Sequence, residues 1–258
     1  MSRVKNRLIL QLKLISDYMS ELKRGESYRG IERLVQLIIQ SILDLGLMIL
    51  SIVGCETDIV YKDIGRKLRE RGFIDKEDES FLIDAAGMRN VLVHGYFRID
   101  RDIILNTARR ELPEFVPRFI EKIKPKIDSL SVDPSMESRE YAALRSIFRR
   151  NGVKLAFLFG GRALGYKIRG DYDFAIYYGR KYSFRDVGRI AVEISDKMNV
   201  PLEKIDILVL DNADPETALK AAMGIPIYWD DEYELFEYRY RCLREALDLR
   251  VSRSLINT

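Results

Sequence analysis

Residues 155–178, LAFLFGGRALGYKIRGDYDFAIYY, decide how the second half of this chain folds. The run Val153–Phe159 is rich in β-prone residues and ends on Gly160-Gly161, the pattern of a buried strand closed by a turn. After nine intervening residues, Asp171-Tyr172-Asp173 opens a second such run, Asp173–Tyr178. A third, Ile205–Leu210, reads IDILVL. Helical patterns occupy Glu140–Arg150, Phe184–Met198, Pro215–Met223 and Glu232–Leu249. Strands interleaved with helices predict an α/β domain built on a small mixed sheet.

The same stretch carries the chemistry. Glycine lacks a Cβ, so the backbone N–H groups of Gly160 and Gly161 can approach a phosphate closely. Residues i and i+2 of a strand share a face, which puts Asp171 and Asp173 on one side of the sheet. Asp206 interrupts an apolar strand, where an ionised carboxylate is expected to be buried only beside a partner. Three carboxylates and a glycine turn suit two Mg²⁺ ions clamping a nucleotide triphosphate.

Working outward, the N-terminal half is all helical in pattern. Leu8, Leu12 and Ile15 recur at helical spacing, as do Ile31, Leu34, Val35, Ile38, Ile42 and Leu45. The second of these helices is apolar nearly all round, as a helix inside a bundle should be. Its exception is Glu32, Gln36, Gln40 and Asp44, a polar stripe that is either a solvated edge or a wall facing a cleft or partner. Further helices are expected at Tyr61–Arg71, Glu77–Leu92 and Asp102–Lys124, the last disturbed at Pro113 and Pro117. The segment PKIDSLSVDPSMES (125–138) has linker composition. The expected organisation is α+β with two domains, residues 1–126 and 139–258, joined by a linker at 127–138.

Composition narrows the function. Of 258 residues 47% are hydrophobic and 32% charged, enough apolar content for real cores. The first 128 residues hold 23 basic and 20 acidic side chains and the remainder 20 of each. A balance this close to neutral gives little unspecific attraction to nucleic acid, so any phosphate must be held locally. Cys55 and Cys242 have no metal-knuckle or disulfide-scaffold spacing. No secretory leader is evident, and the longest uncharged run, Leu45–Cys55, is shorter than a bilayer requires. A cytoplasmic protein with no membrane partner is expected.

The order strand, Gly-Gly, DxD and acid-bearing strand resembles the minimal nucleotidyltransferases of the polymerase-β superfamily, over roughly Ser138 to Tyr228. The resemblance implies that Gly160 and Gly161 lie at the triphosphate, that Asp171, Asp173 and Asp206 ligate metal, and that Arg162 contacts phosphate. This chain departs from the family in carrying Gly161 where Ser is usual, which removes one hydroxyl donor.

The only histidine, His94, lies in AAGMRNVLVHGYFRID (85–100). Arg89 supplies a permanent forked cation, His94 a group that titrates near neutrality, and Asn90 a neutral donor and acceptor. Arg89 and His94 are five residues apart, about 140° round an ideal helix. A shared site therefore needs a helix break near Gly95 or a second subunit. The pattern R-x4-H-x-Y, with RNVLVHGY (89–96) and the buried helix RLVQLIIQSILDLG (33–46), resembles the HepT-type toxins of the HEPN ribonuclease superfamily over about Arg7 to Lys124. That resemblance implies a homodimer that cuts RNA without metal. Arg89 would stabilise the phosphate, His94 would act as acid or base, and Asn90 would support both.

HepT-type toxins are usually encoded beside a nucleotidyltransferase antitoxin that places AMP from ATP on the motif tyrosine, here Tyr96. The two resemblances together imply a toxin–antitoxin fusion. A rival expectation is a small-molecule nucleotidyltransferase whose helical half serves only substrate binding and dimerisation. The phrase RNVLVHGY separates the two, because a passive bundle has no need of it.

Overall fold

The computed structural model describes residues 2–25, 27–94, 100–130, 139–163 and 171–256. The chain divides into two compact units, Met1–Ser131 with Arg250–Thr258, and Val132–Leu249.

The first unit is helical. Helix α1 (Arg3–Leu22) starts on Ser2, whose hydroxyl accepts the Lys5 N–H at 3.3 Å. Helix α2 (Tyr28–Val53) starts on Ser27, which caps the Gly30 N–H at 3.1 Å. It packs against α1, α3 (Asp63–Glu70), α4 (Lys76–His94) and α5 (Arg101–Asn106). Its leucines and isoleucines from Leu34 to Ile52 are buried apart from Leu37, and each buried one contributes about 2 kcal/mol. Helix α2 is long and apolar enough to cross a membrane, and most of it is covered by its neighbours. A Cβ on Gly46 would lie 2.5 Å from Ile64 Cγ2, so the close approach of α2 and α3 requires glycine there.

The disturbance expected at the prolines takes a definite form. Helix α5 runs directly into a π-helical stretch, Thr107–Glu111, and then α6 (Leu112–Ser129). Pro113 has no N–H, and its ring crowds the carbonyl four residues back. The widened turn ends two residues before it, at Glu111, and the helix continues through Pro117 and Pro125 to Ser129. Pro125 therefore belongs to α6, and linker composition begins later than its sequence suggests. On α4, Asp75 caps the N–H groups of Glu77 and Asp78, both at 3.0 Å. The fully buried Asp78 carboxylate accepts from Lys122 at 2.8 Å and Arg118 at 3.4 Å, tying α4 to α6. Arg250 donates to the carbonyls of Thr57, at 2.7 Å, and Ile59.

In the second unit a 3-10 turn (Arg139–Leu144) and α7 (Arg145–Arg150) precede the sheet. Its strands are β1 (Leu155–Phe159), β2 (Tyr172–Tyr177), β3 (Ile205–Val209) and β4 (Ile225–Trp229), in the order β3-β2-β1-β4. The β2–β3 pair is parallel and the other two antiparallel, so the sheet is mixed as expected. Alternation sorts the faces. Ala156, Leu158, Phe174 and Ile176 pack with Phe148 of α7 and Ile190 and Ile194 of α9 (Phe184–Met198). Opposite, Phe157 stacks on Tyr238 of α11 (Glu232–Ile256), and α10 (Pro215–Ala222) packs against β1. Strand β4 has no counterpart in the sequence reading, because Pro226 breaks its run. It is an edge strand whose register against β1 shifts beside Pro226, where a missing N–H costs least.

Candidate functional site

Two groups of candidate residues are considered, one in each unit. In the second unit the parallel β2–β3 pairing places Asp173 directly beside Asp206. Asp173 also faces Phe159, the last residue of β1 before the glycine turn. Gly160 has φ +68°, and a Cβ there would lie 2.2 Å from Asp173 Oδ2. The first glycine is thus required twice, by its left-handed backbone and by the carboxylate lying against it. It opens the single turn α8 (Gly160–Ala163), on which Gly161 is exposed.

The electrostatics follow from this crowding. Partial burial raises the Asp173 carboxyl above its ordinary value, and the charges of Asp206 and then Asp171 add to the rise, against the pull of Arg162. Asp171 Oδ1 accepts from Lys204 Nζ at 3.0 Å. Arg162 lies 3.7 Å over the Tyr172 ring and donates from Nε to the Asp171 carbonyl at 3.2 Å. The expectation that Asp206 is buried is corrected. It is exposed, because β3 is an edge strand with β2 as its neighbour.

Among the described residues no three carboxylates close into a metal-holding group. What the strands bring together is the pair Asp173–Asp206, with Asp171 just before β2 and engaged by Lys204. The donor chemistry fits a hard divalent cation, since the crowding that raises the Asp173 carboxyl is relieved by positive charge. Leu164–Gly170, between the turn and Asp171, lie outside the described residues.

In the first unit α4 carries Arg89 and Asn90 and is described as far as His94. Gly95, where a helix break was one of the two expected ways to a shared site, lies outside the described residues. Arg89 is 6% exposed, so its guanidinium is largely enclosed by its neighbours. Its Nε donates to Gln40 Oε1 at 3.0 Å, and NH1 donates to Asn90 Oδ1 at 3.4 Å. The Tyr61 ring lies under the guanidinium at 4.4 Å. Gln40 Nε2 in turn donates to Asp44 Oδ1 at 2.9 Å. The polar stripe of α2 is therefore half-buried, and its member Gln40 faces α4. The side chain of His94, and Tyr96 altogether, lie outside the described residues.

Sequence reasoning missed Gln40, Tyr61 and Lys204 as neighbours of the candidate residues. Gln40 was visible in the polar stripe, whereas nothing in the sequence marked Tyr61 or Lys204. It also missed a cavity of about 870 Å³ at the far ends of β2 and β3, lined by Tyr177, Arg180, Lys181, Tyr182 and Arg241 among others. That cavity lies at the opposite end of these strands from the carboxylates.

Residues 8–123 match the family model described as Ribonuclease HepT-like, and residues 143–233 match that of Polymerase beta, Nucleotidyltransferase. A protein of Archaeoglobus fulgidus named "Putative RNase" is 28% identical over 92 residues, 36% of this chain and 68% of that protein. A solved toxin–antitoxin with AMP-PNP is 15% identical over 45% of this chain and 94% of its own, with a TM-score of 0.40. A tri-AMPylated HEPN toxin of Shewanella oneidensis in complex with MNT antitoxin is 14% identical over 46% of this chain and 95% of its own, with a TM-score of 0.36.

Proposed function

We propose that this chain, a HepT-like region joined to a polymerase β-type nucleotidyltransferase region, is a toxin–antitoxin pair in one polypeptide. The second region silences the first by moving AMP from ATP to Tyr96. The observation that carries this reading is the pairing of Asp173 with Asp206 across parallel strands, with Gly160 pressed against the Asp173 carboxylate.

In the transfer, the Tyr96 phenolic oxygen attacks the α-phosphorus of ATP. The new O–P bond forms as the α–β phosphoanhydride bond breaks, pyrophosphate leaves, and the phenolic proton passes to solvent. Asp171, Asp173 and Asp206 would hold Mg²⁺, for which Asp171 exchanges its Lys204 partner. The metal, when bound, offsets the charge of the triphosphate. The Gly160-Gly161 backbone and Arg162 would bind the phosphate oxygens.

In the helical region, Arg89 stabilises charge on an RNA phosphate, while His94 acts as acid or base on the 2′-OH and the leaving oxygen without metal. Asn90 supports both through its contact with Arg89. Two copies of the chain bring two such motifs into one cleft. An AMP on Tyr96, two residues from His94, puts a bulky anion where the RNA phosphate would sit.

Intact-mass spectrometry of the full chain with ATP and Mg²⁺ tests the proposal. The expected gain is one or more AMP masses, absent from Tyr96→Phe, which should be an unrestrained, growth-inhibiting ribonuclease. Adding His94→Ala should restore growth. AMP on a different residue with a harmless Tyr96→Phe would move the switch elsewhere.

A further inference from the structure

The polar stripe on α2 is the one sequence feature that the reading above leaves without a role. One of its members, Gln40, meets Arg89. Gln40 Oε1 takes the Nε edge of the guanidinium at 3.0 Å, and Gln40 Nε2 is itself held by Asp44 Oδ1 at 2.9 Å. One face of the same guanidinium rests on the buried ring of Tyr61 at 4.4 Å, and NH1 reaches Asn90 at 3.4 Å.

We propose that Gln40, oriented by Asp44, is the positioning residue that presents Arg89 to the RNA phosphate, with the Tyr61 ring as its second support. The inference rests on the ribonuclease reading of the helical region and adds a residue to it. A planar guanidinium fixed at one edge and one face is restricted in both tilt and rotation. That order is in place before substrate arrives, so it is not lost again in the transition state.

The amide matters for its neutrality as well as its shape. A carboxylate at position 40 would accept the same hydrogen bond while cancelling the charge that a transition-state phosphate needs. The amide also has a donor to spend on Asp44, which a carboxylate lacks. Gln40 can therefore be fixed by the acid one turn along α2 and still accept from Arg89. Among the described residues, Asp44 on α2, Arg89 on α4 and Tyr61 before α3 are charged or titratable groups in contact here.

The test uses the full chain carrying Tyr96→Phe, so that AMP transfer to that residue cannot mask cleavage, with a fluorescent single-stranded RNA as probe. Gln40→Ala should lower kcat roughly thirtyfold and leave KM within about threefold, because an ångström-scale misplacement acts on the reacting geometry. Gln40→Glu supplies a readout that a merely structural role would not move. Its kcat should fall at least as far as that of Gln40→Ala, again with KM within about threefold, because a carboxylate keeps the hydrogen bond to Arg89 and the packing but cancels the guanidinium charge. Thermal melts identify a variant that has lost its fold, in which case the near-isosteric Gln40→Glu decides. A folded Gln40→Ala or a folded Gln40→Glu with the parental kcat overturns the proposal. A Tyr96→Phe chain that cleaves no RNA overturns the ribonuclease reading itself, and this inference falls with it.

Discussion

The helical unit encloses a cation, and the sheet unit brings anions to an edge. Arg89 is 6% exposed and is held by an amide and an aromatic ring. Asp173 and Asp206 sit side by side where β3 pairs with β2, and the Asp206 charge adds to the burial that raises the Asp173 carboxyl. The difference lies in what completes each site. A cation held at one edge by an amide and on one face by a ring is oriented by the fold, whereas crowded carboxylates are relieved by positive charge brought to them.

The largest effect that would break this comparison is on nucleotide transfer. Asp171→Ala with Asp173→Ala should slow AMP transfer by at least about a thousandfold, followed as mass gained over time in the full chain with ATP and Mg²⁺. Transfer at the parental rate would remove the carboxylates from the site. Gly160→Ala should act on the same site through geometry alone. A left-handed alanine costs about 1 kcal/mol, and its Cβ displaces the Asp173 carboxylate, so transfer should fall about tenfold or more while the protein stays folded. An unaffected Gly160→Ala would mean that the carboxylate position matters less than the strand pairing implies.

The smallest effect sharpens the contrast through pH. Asp173 is raised by burial and by its acidic neighbours, so its ionised form weakens the fold. Whatever stability its protonated form supplies is lost as pH rises through the raised pKa. Metal-free Asp173→Asn should melt about 1–3 °C higher at neutral pH, and the gain should shrink as pH falls into the usual carboxylate range. Asp75 in the helical unit has the opposite sign. The Lys122 ammonium, then the Asp78 N–H, hold its carboxyl well below that range. Its contribution is present above the ordinary carboxylate value and lost as pH falls through the lowered one. Asp75→Asn should therefore melt lower at neutral pH, with a difference that narrows in acid. Differential scanning fluorimetry of both variants across pH decides it, and shifts of the same sign would end the contrast.

Periodicity alone located most elements. Phe184–Met198 coincides with α9, and the apolar repeat from Ile31 to Leu45 lies within α2. The resemblances to HepT-type and nucleotidyltransferase families agree with the matches over residues 8–123 and 143–233. These features were legible because apolar spacing and short glycine–acid motifs are local properties of the chain. Strand β4 was not, since Pro226 reads as a break until the partner strand shows that the missing N–H falls at an edge and a register shift.

Sequence by itself determined that the chain has a helical half and an α/β half. It also placed a glycine turn before a DxD, and an arginine five residues before the one histidine. Tertiary structure decided which groups meet: Gln40 with Arg89 across 49 positions, Asp173 with Asp206 across β2 and β3, and residues 250–258 with the first unit. It also decided that Asp206 is exposed and Arg89 enclosed. Spacing along a chain fixes which face of a helix or strand a side chain takes. Its partners and its share of solvent depend on packing between segments far apart in sequence, which no local pattern encodes.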